Sequence, residues 1–262
     1  MRSQNRNVDA LILDMDGVLW RDTEPIGDLP ALFARISNLG WKTAFVTNNA
    51  TRSVSQYVEK LASFGVEARQ DQIVNSGLAT AIYLQKIFPS GGPVFMIGEE
   101  GLINTLRQYG FEHSANDPLA VIVSLDRDLT YKKLQFATEF IRSRLPFIGT
   151  NPDPALPTPL GYIPGTGSIL AALVAATDRE PIIIGKPSPS MYQIAIDNLG
   201  IQPEKVLAVG DRMGTDIAAG IAAGCQTALV LTGVSDETTV DDYPFKPTIL
   251  SPSLTELIND LS

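Results

Sequence analysis

Short, uniformly apolar runs alternate along this chain with longer stretches in which apolar residues recur every three or four positions, a pattern that predicts an α/β fold on a largely parallel sheet. Leu29, Leu32, Phe33, Ile36 and Leu39 keep helical spacing, and Gly40 stops it. Val54, Tyr57, Val58, Leu61 and Phe64 repeat the pattern between Ser53 as N-cap and Gly65 as terminator. Residues 10–13 read as a buried strand and 42–46 as another. The runs at 182–184, 206–209 and 227–231 are apolar throughout, as strands covered on both faces should be. Between 75 and about 182 there is enough chain for a second α/β domain, with strands predicted at 94–97, 120–123 and 147–148 and helices at 101–109 and 131–142. The expected organisation is a doubly wound core domain from 1–77 and 181–262, interrupted by a smaller α/β domain at 78–180. Within that insert, the Pro-rich segment through Pro152, Pro154, Pro157 and Pro159 reads as a rigid loop, and a helix is expected over 168–176.

Asp14 and Asp16 follow directly on the run 10–13, which puts two carboxylates at the end of a buried strand with Gly17 beside them to permit a sharp turn. Like charges so close resist joint ionisation unless a cation or hydrogen-bond donors compensate them, so the pair implies a divalent metal, a shared proton or both. Thr47-Asn48-Asn49, Lys186, Asp211 and Asp216 supply the hydroxyl, amides, cation and further acid that a metal-dependent phosphoryl-transfer site needs. Taken singly, Thr47-Asn48-Asn49 is an ordinary strand-end turn and Lys186, between Gly185 and Pro187, a solvated loop lysine. Their shared position is what changes the reading. Asp14, Thr47 and Asp211 each follow an apolar strand, and open parallel sheets bind ligands just beyond the carboxyl ends of their strands.

Composition narrows the chemistry. A net charge of −9 over 262 residues argues against nucleic acid as the main partner. Cys225 is the only cysteine and His113 the only histidine, which leaves little to build a thiolate cluster, a zinc site or a Ser-His-Asp triad. Cys225 reads as a small buried hydrophobe and His113 as a surface residue. Arg2 and Arg6 precede an apolar run that Asp14 cuts short of a signal peptide, and no segment has the length of a membrane span. A soluble, cytoplasmic protein is expected.

The chain resembles the haloacid dehalogenase superfamily of phosphatases, in its branch of NagD-like, p-nitrophenylphosphatase and phosphoglycolate phosphatase proteins. The resemblance rests on Asp14-Met15-Asp16-Gly17-Val18-Leu19-Trp20, Phe45-Val46-Thr47-Asn48-Asn49-Ala50-Thr51, Gly185-Lys186-Pro187-Ser188 and Gly210-Asp211-Arg212-Met213-Gly214-Thr215-Asp216, in that order. Asn151-Pro152-Asp153 and Gly165-Thr166-Gly167-Ser168 in the insert are also similar to that branch. The resemblance implies that Asp14 is a nucleophile forming an aspartyl-phosphate, and that Asp16 gives a proton to the leaving group and later takes one from water. It implies Mg²⁺ held by Asp14, the carbonyl of Asp16 and Asp211, with Asp216 either reaching the metal through water or acting as a helix N-terminal acid. Thr47, Asn48, Asn49 and Lys186 would bind the phosphoryl group, and the insert would serve as a cap, with Asn151 and Asp153 open between substrate contact and a structural role in their loop. Trp20 is open between stacking on substrate and packing against the cap, with packing the favoured reading.

The function expected is a phosphatase acting on a small phosphorylated metabolite, with pairing of two chains through the cap left open. Two alternatives share these residues: a phosphotransferase or mutase using the same intermediate, and a binding module that keeps the fold without turnover.

Overall fold

The computed structural model describes residues 8–158 and 161–262, so Arg2, Arg6 and Pro159 lie outside the described residues. The chain forms two compact units, one of residues up to Thr47, Ser55–Val74 and Lys186–Ser262, the other of Asn48–Val54 and Asn75–Gly185.

The first unit is organised by a six-stranded sheet in the order Ile249–Ser251, Gln226–Val230, Val206–Gly210, Ala10–Leu13, Lys42–Thr47 and Ile73–Asn75. Ala10–Leu13 lies parallel to both of its neighbours, and all four of its side chains are fully buried. Leu13 stands in register with Val209 on one side and Phe45 on the other. The residues that leave these strands, Asp14, Asp211 and Thr47, therefore emerge at one carboxyl edge. The chain order also reverses at Ala10–Leu13, with the second and third strands of the sheet added on one side and the later strands on the other. Such a switch point is where a doubly wound sheet leaves a crevice for ligand.

Helices cover this sheet because their apolar positions share one face. Leu29–Asn38 starts at Asp28, whose carboxylate accepts the Ala31 N–H at 3.1 Å, and it buries Leu29, Leu32 and Ile36. Val54–Ser63 buries Tyr57 and Leu61. Ser190–Leu199 buries Met191, Tyr192, Ala195, Ile196 and Leu199, and ends on the left-handed Gly200.

The second unit has its own five-stranded sheet in the order Ile182–Ile183, Phe147–Gly149, Val121–Val123, Gly92–Ile97 and Phe111–His113, with every pairing parallel. Phe95, Val121, Val123, Phe147, Leu170 and Leu173 form its core, closed by the helices Tyr131–Arg142 and Thr166–Thr177.

Three sequence expectations are corrected. The run at 182–184 is not a strand of the first sheet: Ile182–Ile183 pairs with Ile148 and Gly149 at the edge of the second, where Ile182 is left exposed. An apolar triplet carries no mark of which sheet it will join. The Pro-rich segment is a loop only through Pro152 and Pro154; from Ala155 it becomes a strand, Ala155–Thr158 against Gly161–Pro164, which has only that one neighbour, so Pro157 without an N–H can be accommodated there. The helix placed at 168–176 begins at Thr166, with Gly165 as its N-cap. Ser76–Ile87 has no sequence-predicted counterpart, because it buries Gly77, Ala79 and Ala81 and so carries little contrast between its faces. Among the described residues no helix is long and apolar enough to cross a membrane.

Because Ile12 is fully buried between two strands, Ile12→Ala is expected to lower stability by about 2–5 kcal/mol and Ile12→Val by about 0.5–1.5 kcal/mol in urea unfolding, the difference being the cavity left behind. Equal costs for the two changes would place Ile12 outside a packed core.

Candidate active site

Asp14 leaves the central strand with its N–H bonded to the Val209 carbonyl at 2.9 Å, which fixes the backbone and turns the carboxylate into the carboxyl edge of the sheet. There it meets Lys186, whose Nζ lies 2.5 Å from Asp14 Oδ1 and 2.6 Å from Asp216 Oδ1 and also donates to the Val46 carbonyl at 3.4 Å. All three side chains are buried, each less than a tenth exposed. Asp216 comes from the turn Met213–Ile217, and its second oxygen accepts the Arg212 N–H at 3.0 Å. Both of its oxygens are thus engaged with groups of the protein.

Asp211 completes the cluster in a different way. Its Oδ2 accepts the Val234 N–H at 2.7 Å and its backbone carbonyl accepts the Ser235 N–H at 3.0 Å, while Oδ1 is buried without a hydrogen-bond partner among the described residues. A buried carboxylate oxygen with no donor is costly unless a ligand satisfies it. One oxygen from each of Asp14, Asp211 and Asp216 falls within 4.8 Å of the others. Two glycines make room for this. A Cβ on Gly17, whose φ is +88°, would sit 2.7 Å from Asp211 Cγ, and one on Gly233 would collide with the same carboxylate.

The electrostatics follow from burial. Desolvation raises the Asp14 carboxyl well above its usual range, Lys186 pulls it back only in part, and Asp216 and Asp211 push it further up. Burial pulls the Lys186 ammonium down, but Asp14 and then Asp216 outweigh it, and the amine is held protonated well above its ordinary value. Asp211 is raised to about 6 by burial first and Asp216 second, against the Val234 hydrogen bond. Three buried carboxylates face one ammonium, so full ionisation leaves two negative charges that nothing in the cluster offsets. Hard oxygen donors with that surplus suit a divalent cation.

The other sequence-predicted residues sit as follows. Thr47, 3% exposed, ends the strand next to Asp14. Asp16 is exposed, and its Oδ1 accepts the Trp20 indole N–H at 2.8 Å. Trp20 is fully buried, but its ring lies against Phe64 and Lys60 of its own unit where packing against the cap was expected, and this hydrogen bond is an additional contact that the sequence did not suggest. Asn48, Asn49, Asn151 and Asp153 belong to the second unit. There the Asn48 amide donates to Asp153 Oδ2 at 3.1 Å, the Asn151 amide donates to the Asn48 carbonyl at 2.9 Å, and Asn49 Oδ1 accepts from Thr51. Cys225 is half-buried, with its thiol pushed up to about 12 by burial and then by Glu204, so it stays a protonated thiol near neutral pH.

Sequence reasoning missed Thr232, Gly233 and Val234. Thr232 Oγ1 donates to the Gly17 carbonyl at 2.6 Å, which ties this loop to the turn after Asp14, while Gly233 and Val234 enclose Asp211. The strand-end rule that found Asp14, Thr47 and Asp211 reaches them too, since they follow the strand Gln226–Val230.

The raised Asp211 carboxyl makes stability depend on pH. The folded carboxyl keeps its proton to about 6 and the unfolded one only to 3.8, so the folded state binds more protons in between and loses stability as pH rises. In EDTA, urea unfolding between about pH 4 and pH 7 should therefore show Asp211→Asn gaining about 2 kcal/mol relative to the unchanged protein. A gap that does not vary with pH would mean that Asp211 ionises freely in the fold.

The chain is similar to known proteins along most of its length. The sequence matches the family described as haloacid dehalogenase-like hydrolase over residues 11–112, and the related HAD-hydrolase-like family over 183–257. It is 36% identical to the 5′-nucleotidase YutF of Bacillus subtilis, across 94% of this chain and 96% of that one. Its structure is similar to the p-nitrophenyl phosphatase from Archaeoglobus fulgidus, with a TM-score of 0.90 and 36% identity, covering 96% of this chain and 98% of the other. NagD from Escherichia coli K-12 is similar with a TM-score of 0.87 and 31% identity over 95% of this chain and 98% of the other. On its sequence and on its fold, the chain belongs to the haloacid dehalogenase-like hydrolases, in the branch of NagD and the p-nitrophenylphosphatases.

Proposed function

We propose that the protein is a Mg²⁺-dependent phosphatase that hydrolyses small phosphate monoesters through an aspartyl-phosphate on Asp14. The observation that carries this reading is the buried Asp14–Lys186–Asp216 ion-pair network beside an Asp211 oxygen that has no hydrogen-bond partner among the described residues. An ordinary structural ion pair would leave no such oxygen and no surplus of negative charge.

Asp14 is held by Lys186 at one oxygen, which fixes the carboxylate for in-line attack on phosphorus. As the Asp14 oxygen bonds to phosphorus, the bond to the ester oxygen breaks, and the Asp16 carboxyl passes its proton to the departing alcohol. Asp16, now a carboxylate, then takes a proton from water as the water oxygen attacks phosphorus. The bond to Asp14 breaks, and inorganic phosphate leaves. Lys186 stays charged throughout, offsetting negative charge on the transferring group, and the Thr47 hydroxyl at the neighbouring strand end donates to a phosphoryl oxygen.

Asp14, the Asp16 carbonyl and the unpartnered oxygen of Asp211 are the groups that would hold Mg²⁺, with Asp216 kept as the acid that positions Lys186. When bound, the metal supplies the positive charge that lets a phosphate dianion approach an acidic cluster. We assign catalysis to the unit that carries the cluster, up to Thr47, Ser55–Val74 and Lys186–Ser262, and give the other, Asn48–Val54 and Asn75–Gly185, the choice among substrates. The nucleotide and the aryl phosphate in the names of relatives are both phosphate monoesters, which supports that class of substrate.

Asp14→Asn is expected to lower kcat on p-nitrophenyl phosphate by about 10⁴-fold or more with an unchanged circular dichroism spectrum, as loss of a covalent nucleophile does. Activity within a few-fold of the original would remove Asp14 from the chemistry. EDTA should stop phosphate release and excess Mg²⁺ restore it, with no alcohol acceptor present; persistence through chelation would exclude a metal-dependent scheme, and release only with an acceptor would indicate a phosphotransferase.

A further inference from the structure

We infer that Trp20 is a positioning residue that aims the Asp16 carboxyl group by holding one of its oxygens. The inference rests on the acid and base role proposed for Asp16 and adds how that group is oriented.

Asp16 is exposed, in a turn, and a carboxylate so placed would rotate among its staggered rotamers with few restraints. The Trp20 indole supplies the restraint. Its Nε1–H donates to Asp16 Oδ1 at 2.8 Å from a side chain that is fully buried. The indole is itself fixed from several directions. Its ring lies 5.6 Å from the Phe64 ring between centroids, and the Lys60 ammonium stands 4.1 Å from its centroid. Lys60 also donates to the Asp22 carbonyl at 3.0 Å, which ties the cation to the turn after Trp20. The backbone closes the loop between acid and indole, because the Gly17 N–H donates to the Trp20 carbonyl at 2.8 Å and Asp16 and Trp20 form a β-bridge. Every part that holds the donor therefore belongs to the first unit.

This anchoring divides the labour of one carboxyl group. Oδ1 is occupied by the indole, so Oδ2 is left to carry the proton to the ester oxygen and later to receive one from water. A tryptophan that only filled space would need a partner for its N–H, and a backbone carbonyl would serve. Here the partner is the side chain proposed to transfer the proton. Packing alone predicts uniform damage when the indole is lost; positioning predicts damage in proportion to the need for a proton.

The test uses the Mg²⁺-loaded enzyme and a series of substituted phenyl phosphates, from p-nitrophenyl phosphate, whose leaving group departs without much help, to p-methoxyphenyl phosphate, whose leaving group needs protonation. Trp20→Phe should lower kcat/KM by less than about 3-fold for the first ester and by roughly 10- to 100-fold for the last, within the range of general acid catalysis. Plotted against leaving-group acidity, the variant thus gives a steeper line. Since Trp20→Phe also leaves a gap in the core, the position is filled in parallel with 3-benzothienylalanine, which keeps the bicyclic ring and lacks the N–H; it should steepen the line in the same way with an unchanged melting temperature. Lines parallel to the unsubstituted enzyme in both variants overturn the inference. Asp16→Asn, measured alongside, separates the two levels: if it steepens the line and the Trp20 variants do not, only the positioning role fails. If Asp16→Asn leaves the slope unaltered, the acid role fails and the inference falls with it.

Discussion

A single buried ammonium governs this site. Lys186 lies between Asp14 and Asp216 in surroundings where an unpaired ion of either sign would cost several kcal/mol, so each of the three groups is tolerable only because the others are there. The fourth group, Asp211, breaks the balance. It adds a third carboxylate to one ammonium, with one oxygen that finds no donor among the described residues. The cluster is therefore electrostatically incomplete as folded, and burial with that surplus raises the Asp14 and Asp211 carboxyls above their usual range. A structure that only needed stability would remove such an imbalance; one that must gather a metal and a phosphate gains from keeping it.

The sheet makes that imbalance possible at little conformational cost. Four buried residues of one strand, in register with apolar strands on either side, fix where Asp14, Thr47 and Asp211 emerge. Glycines then keep the space around the acids open. Gly17 and Gly233 flank Asp211 so closely that a single methyl group would strike its carboxylate. The order runs from backbone to charge: hydrophobic burial sets the strands, the strands set the edge, and the edge sets which acids must share one amine.

Much of this was legible in the sequence. Acidic, hydroxyl and amine groups just past apolar runs pointed to one rim of the sheet, and Asp14, Lys186, Asp211 and Asp216 do meet there. What was not legible depended on tertiary pairing. The run at 182–184 has the composition of a core strand, yet its partner is Ile148 in the second sheet. Asp211 and Asp216 are equivalent as letters, each with one oxygen on a backbone N–H, and only the ion pair from Lys186 to Asp216 Oδ1 separates them. The bond from Trp20 to Asp16 spans four residues and was within reach of a sequence argument, but packing was enough to account for a tryptophan after an apolar run.

The central claim is that this charge-compensated carboxylate, and no other group in the protein, accepts the phosphoryl group. It is tested most directly by mixing the Mg²⁺-loaded enzyme with p-nitrophenyl phosphate, quenching in acid within one turnover, and mapping phosphorylated peptides by mass spectrometry. The account predicts a phosphoryl group on the Asp14 side chain that appears and decays with turnover. A phosphoryl group on another residue, or turnover with none on Asp14 at any time, would contradict it.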